Sequence, residues 1–176
     1  MQFQIFFILL TLLSMAALRL EAQSFKGLPQ GNERIASSNK SEEQKLLELV
    51  NELRQTRGLA ALSWSKELSW AARYHAKDMI IDGYFEHGLY DRKGRKLKKV
   101  ADTFEKIKPF CQTELFPMSE NIAVGTATAA AVFELWYNSP GHLKNMLDPD
   151  ARFMGAGFVA DEDSEWGYYW AQIFGQ

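Results

Sequence analysis

Cysteine is almost absent from this chain: one residue, Cys111, among 176. No internal disulfide can form, so the small scaffolds that depend on disulfide staples are excluded. Stability must come from an apolar core, which about 150 residues can supply. Cys111 has no histidine near it in sequence, so a partly buried structural thiol is expected rather than a nucleophile. Histidine is nearly as scarce, with three residues: His75, His87 and His142. No HExxH pair occurs, which removes the commonest helical zinc-hydrolase signature. There is no internal repeat and no break that would mark a second domain.

Only one long uncharged run is present, Ile5 to Leu18 (IFFILLTLLSMAAL). It is short for a bilayer span, and polar sequence follows at Glu21. A small residue, Ala22, precedes Gln23. Residues 1–22 therefore read as a signal peptide, although residues 1–4 carry no Lys or Arg, and an uncleaved anchor is the alternative. Removing them takes away Arg19 and Glu21, which cancel, so the net charge of −2 is unchanged. The expected location is secreted or periplasmic.

Residues 23–40 (QSFKGLPQGNERIASSNK) are polar and without period, and are expected to be a disordered linker. The domain is expected over 41–176. Ser41 with Gln44 forms a candidate capping box, followed by an apolar stripe through Leu46, Val50 and Leu53 until Gly58. A second helix is expected from Ser65, with Leu68, Ala71, Ala72, Ala76 and Met79 on one face, stopping at Gly83. A third follows Thr128 and breaks at Ser139-Pro140-Gly141. Residues 153–160 and 168–174 then switch to strand-like runs. Helices first and a hairpin last argue for an α+β layered domain with an antiparallel sheet.

Charge is distributed unevenly. Residues 92–108 hold eight Lys or Arg against two acids, on an expected helix around Leu97 to Ile107 with Val100, Phe104 and Ile107 inward. Residues 148–166 hold six acids and one Arg. The basic segment is either a solvated face or a docking surface for anionic lipid head groups or wall polymers. No aromatics interleave for base stacking, so nucleic acid is not an expected partner.

The stretch Ser119 to Leu147 places Glu120 and His142 near Trp136 and Ser139, and Phe85-Glu86-His87 supplies a second histidine just past a helix end. Two imidazoles and a carboxylate suggest a polar site, including a metal site. His75, on the second helix, reads as packing or surface. Trp64, Trp70, Trp136 and Trp170 read as core, with the possibility that one walls a groove. Asn121 and Asn145 read as backbone-satisfying amides.

These residues assemble into a pattern. Asn51-x-x-Arg54, Gly58-Leu59-x-x-Leu62-x-Trp64, Ala72-x-x-His75-Ala76-x-x-Met79, Phe85-x-His87, Glu120-Asn121-Ile122-Ala123, Trp136-x-x-Ser139-Pro140-Gly141-His142-x-x-Asn145-Met146-Leu147, Gly155-x-Gly157 and Tyr169-Trp170-x-Gln172-x-Phe174 occur in order. The chain resembles the CAP superfamily (cysteine-rich secretory protein, antigen 5, pathogenesis-related 1; the SCP domain) in its compact bacterial form, over about residues 44–176. The resemblance implies a three-layer α-β-α sandwich with a central antiparallel sheet and a cleft lined by His87, Glu120 and His142. Plant and animal members usually carry a second glutamate where this chain has Ser139. Their disulfides are absent here too.

Three chemistries suit that cluster. His87, Glu120 and His142 could bind a divalent cation, zinc above all, with a position left for water. Ser139, His142 and Glu120 could act as nucleophile, base and orienting acid of a serine-dependent extracellular hydrolase, although Ser139 also reads as a turn cap. The histidines and Glu120 could instead be a hydrogen-bonded network that locks loops onto the core. The expected protein is a monomeric, secreted, non-enzymatic binder of a divalent cation, zinc above all, at His87, Glu120 and His142, and of a lipid, sterol or cell-wall glycan. A metal- or serine-dependent hydrolase and a module docking through residues 92–108 are the alternatives.

Overall fold

The computed structural model describes residues 25–176; the expected signal peptide lies outside the described residues. Helix α1 (Lys40–Thr56) begins at Asn39, whose side chain accepts from Ser41 N and Glu42 N. The cap is therefore Asn39 rather than the expected Ser41. The short strand β1 (Ser63–Trp64) leads into α2 (Lys66–Asp82). Ser65 Oγ caps α2 by accepting from Leu68 N, and Gly83, at φ 59°, terminates it. A left-handed turn there suits a residue without Cβ. After β4 (Pro117–Val124), Thr128 caps α4 (Ala129–Tyr137), and Pro140 opens α5 (Pro140–Met146). Strands β5 (Phe153–Ala160) and β6 (Tyr168–Gly175) close the chain.

The main sheet has the order β1-β5-β6-β4. It is antiparallel except where the two residues of β1 run parallel to β5. Alternation along the strands separates two apolar layers. Tyr169, Ala171 and Ile173 of β6 face α2 with Leu68, Ala72 and Met79. Trp170 and Phe174 face the other way, with Leu46, Val50, Val132 and Trp136 of α1 and α4. This is the α-β-α sandwich expected from the resemblance.

Helix α2 lies directly on the backbone of β5. A Cβ on Gly155 would overlap Ser69 N and Leu68 C, and one on Gly157 would overlap Arg73 N and Ala72 C. The Gly-x-Gly pair is thus a contact requirement that fixes the height of α2 above the sheet.

Two expectations need correction. The helix expected around Leu97 to Ile107 is not one helix. The basic segment forms a hairpin, β2 (Leu89–Lys93) and β3 (Lys96–Ala101), and then the short helix α3 (Thr103–Ile107). The hairpin loop is Gly94-Arg95, with Gly94 at φ 62°, the conformation that a two-residue turn with glycine first demands. Ile107 is buried, but Phe104 is exposed and Lys106 takes the inward place.

The second correction is the linker. From Phe25 onward it is a strap on the domain. Phe25 stacks on Tyr74 at 5.1 Å, and Lys26 Nζ meets Asp82 Oδ1 at 2.6 Å. Buried Glu33 accepts from Gln30 N and Gly31 N, Arg34 lies 3.6 Å over Trp70, and Ser38 N donates to Phe158 O at 2.9 Å. Its polar composition predicts solvation, yet these polar groups find fixed partners on the domain.

Gly157→Ala tests the α2–β5 contact. It should lower unfolding free energy by about 1–3 kcal/mol, the usual cost of overpacking, read from the urea midpoint. An unchanged midpoint would show that α2 can lift without penalty.

Candidate functional site

Strand alternation divides the site between two faces. On β4, Glu120 points with Ile122 toward the α2 layer, and Asn121 points toward α5. His75, one turn before Met79 on the inner face of α2, meets Glu120 from below: Nδ1 to Oε1 is 3.0 Å. His87, on the loop after α2, meets the same carboxylate from the rim, Nδ1 to Oε2 at 2.9 Å. Lys106 of α3 closes the arrangement. Its Nζ lies 3.0 Å from Glu120 Oε1 and 3.1 Å from Oε2. It also donates to the backbone carbonyl of His87 and stands 3.3 Å from His75 Nε2.

Burial makes this a charged site with little room for error. His75 is 0 % exposed, Lys106 1 % and Glu120 5 %. Burial works to raise the Glu120 carboxyl, but the Lys106 charge, then His75, hold it well below the usual carboxylate range. Burial draws Lys106 down, and the Glu120 charge opposes it. His75 is pulled below its ordinary value by burial first and Lys106 second, so the ring is neutral near pH 7. In that neutral ring Nδ1–H donates to Glu120 and Nε2 accepts from Lys106.

His142 belongs to the other face. Its backbone carbonyl accepts from Asn121 Nδ2 at 3.2 Å, and its ring lies 6.3 Å from that of Trp136. Among the described residues the ring has no hydrogen-bond partner. Its pKa is lowered by burial and then by the nearby charge of His87, so the two histidines are neighbours across the β4 edge without touching Glu120 together. Asn121, Asn145 and Gln172 form a side-chain network beneath it, with contacts of 2.8 Å and 3.0 Å.

The structure thus brings His87 and Glu120 together, leaves His142 to one side, and adds two residues that sequence reasoning passed over. His75 carried a signal, since it shares the α2 face of Ala71 and Met79. Lys106 carried none within a run of lysines. Ser139 sits at the N-cap position of α5, but its side chain makes no capping bond, and no hydrogen bond joins it to His142. Trp64 does wall a groove of about 520 Å³ with Leu115 and Phe153, and none of the histidines lines it. Cys111 is half-buried, its thiol pushed up to about 11 by burial, with Glu67 second.

The cysteine-rich secretory protein (CAP) family model matches residues 47–174. The chain belongs to that family. It is 35% identical over 138 residues to the Bacillus subtilis (strain 168) protein YkwD, spanning 78% of this chain and 48% of YkwD, so it covers about half of that relative. Among solved structures, an extracellular SCP-domain protein from Bacillus anthracis str. Ames aligns with TM-score 0.57 and 25% identity, over 77% of this chain and 40% of that one. An outer surface protein from Borrelia burgdorferi aligns with TM-score 0.64 and 20% identity, over 81% of this chain and 98% of that one.

A divalent cation on His87, Glu120 and His142, as the family resemblance implies, does not fit this donor set. A carboxylate offers about four lone-pair positions, and here His75, His87 and Lys106 donate into three of them, while the ammonium charge, 3.0 and 3.1 Å from the two oxygens, opposes a second cation. Among the described residues, no group of three or more His, Cys, Asp or Glu is arranged to hold a metal ion.

Lys106→Met should cost about 3–5 kcal/mol, because it leaves a buried carboxylate unpaired. The pH dependence has a definite sign. The unfolded chain takes up histidine protons below about pH 6.5 and native His75 and His142 resist them, so stability falls as pH drops through that value. The Glu120 contribution, present above about 4.3, is lost at lower pH still. Chemical denaturation from pH 7 to 5 should show this decline, and His75→Gln should flatten it. An equal slope in that variant would place the coupling elsewhere.

Proposed function

We propose that this CAP domain is an extracellular binding module rather than an enzyme, and that it receives a hydroxyl-bearing glycan at the imidazole of His87. The observation that carries the reading is the orientation of that ring. Nδ1 is held by Glu120 at 2.9 Å, while 49 % of the side chain stays exposed. With Nδ1 turned to Glu120, the opposite ring nitrogen, Nε2, is left to meet a hydroxyl. Phe85, exposed and 6.0 Å from Trp166, precedes it by two residues, and Thr103 Oγ1 donates to the His87 carbonyl beside exposed Phe104. Aromatic faces next to a directed acceptor suit a sugar ring, apolar on one side and hydroxylated at its edge.

Hydrolysis fits less well. A serine mechanism needs its base against the nucleophile and the acid against the base. Here the acid is committed to His75, His87 and Lys106, and Ser139 is bonded to no imidazole. Export, by residues 1–22, and anchorage to an anionic wall polymer through the exposed Lys93, Lys96, Lys98 and Lys99 of the hairpin belong to the same reading.

A glycan array probed with wild type, His87→Ala and Ser139→Ala tests it. Binding should fall about five- to thirteenfold in His87→Ala, the loss of a hydrogen bond worth about 1–1.5 kcal/mol, and persist in Ser139→Ala. No reducing ends should appear. Release of reducing ends or ester cleavage that disappears in Ser139→Ala would contradict the proposal.

A further inference from the structure

We infer that the ammonium group of Lys106 is the resident cation of this site, standing where a divalent metal ion would stand against Glu120, so that the cleft is assembled without metal. The cleft is that of the proposed glycan site, but its assembly by Lys106 does not depend on glycan binding. Lys106 comes from a helix of five residues, Thr103–Ile107, and is nonetheless 1 % exposed. A lysine is taken that far from water only when its three donors are satisfied. Here they are, by Glu120 Oε2 at 3.1 Å, His75 Nε2 at 3.3 Å and the carbonyl of His87, while Glu120 Oε1 at 3.0 Å completes the ion pair.

That set reads as a coordination shell. One positive centre gathers a carboxylate, an imidazole nitrogen and a carbonyl oxygen from α2, the His87 loop and β4. A metal ion bridging such elements would do the same mechanical work, which is to tie a loop and two elements to one point. The ammonium also closes the site to a metal. Its charge stands 3.0 and 3.1 Å from the two Glu120 oxygens, where a metal would have to stand, and the Nδ1 atoms of His75 and His87 face Glu120 as donors. A metal arriving from solvent would find His87 Nε2 and His142, one ligand short of the three that protein sites supply.

Removing the ammonium should open the place it holds. In Lys106→Met the stem volume stays and the charge goes, leaving Glu120 anionic between two imidazoles whose proton can move to Nε2, freeing Nδ1 as a neutral metal ligand. Cobalt chloride, titrated into protein stripped with EDTA, is the probe, read by visible d–d absorption and by melting temperature. Wild type should develop no Glu120-dependent band and no stabilisation, and EDTA should leave its melting temperature unchanged. Lys106→Met should bind cobalt stoichiometrically and gain melting temperature, and Lys106→Met/Glu120→Gln should lose the band. A cobalt band in wild type that vanishes in Glu120→Gln would overturn the inference, as would folded Lys106→Met that takes no cobalt. Should Lys106→Met not fold, the wild-type titration and its Glu120→Gln control decide alone. Glycan binding enters none of these readouts, so failure of the binding proposal leaves this test intact.

Discussion

An ionised carboxylate taken out of water loses several kcal/mol of hydration, and the loss is tolerable only if an opposite charge and a full set of donors replace the water. Glu120 meets that condition by drawing three separate parts of the chain to itself: α2 through His75, the following loop through His87, and α3 through Lys106. The loop that presents His87 has little apolar burial of its own, with Phe85, Glu86 and His87 all exposed. It is held by the charge at its base, where Lys106 also donates to the His87 carbonyl.

The network depends in turn on how closely α2 approaches the sheet. Gly155 and Gly157 let the helix backbone rest on β5, which sets the depth at which His75 meets β4. A raised helix would stretch a 3.0 Å contact that holds a buried charge. The close packing of one layer and the electrostatics of the site are thus one constraint, running from two missing side chains to an exposed imidazole. A face organised this way offers directed hydrogen bonds, the physical basis of the binding role proposed for it.

Much of the fold was legible because its signals are local. Ser65 and Gly83 bracket α2 by cap chemistry, Thr128 starts α4, and the alternation in 153–160 and 168–174 marks the strands that form the sheet. Membership of the CAP family followed from ordered motifs, and the pairing of His87 with Glu120 came with it. What escaped was set by tertiary partners. The hairpin of 89–101 is charged on both faces, so it shows no alternation, and only Gly94 hinted at its turn. Lys106 looked like its neighbours in composition, and nothing local distinguishes a lysine that will be buried. The strap over 25–38 is polar because its partners are polar: Asp82, Asp91 and the backbone of β5. His142 was grouped with Glu120 by proximity in sequence, whereas the period of two along β4 turns Asn121, not Glu120, toward it.

The histidine tautomers test the central claim most directly. If Glu120 is an anion shared by His75, His87 and Lys106, both rings must carry their neutral-form proton on Nδ1, the less common tautomer in water. Long-range ¹H–¹⁵N correlation spectra of protein labelled at histidine, recorded near pH 7.5, should show Nδ1–H patterns for His75 and His87, assigned by His→Gln variants. Finding Nε2–H on either buried His75 or rim His87 would contradict the account, since that ring could not donate to the carboxylate on which the site is built.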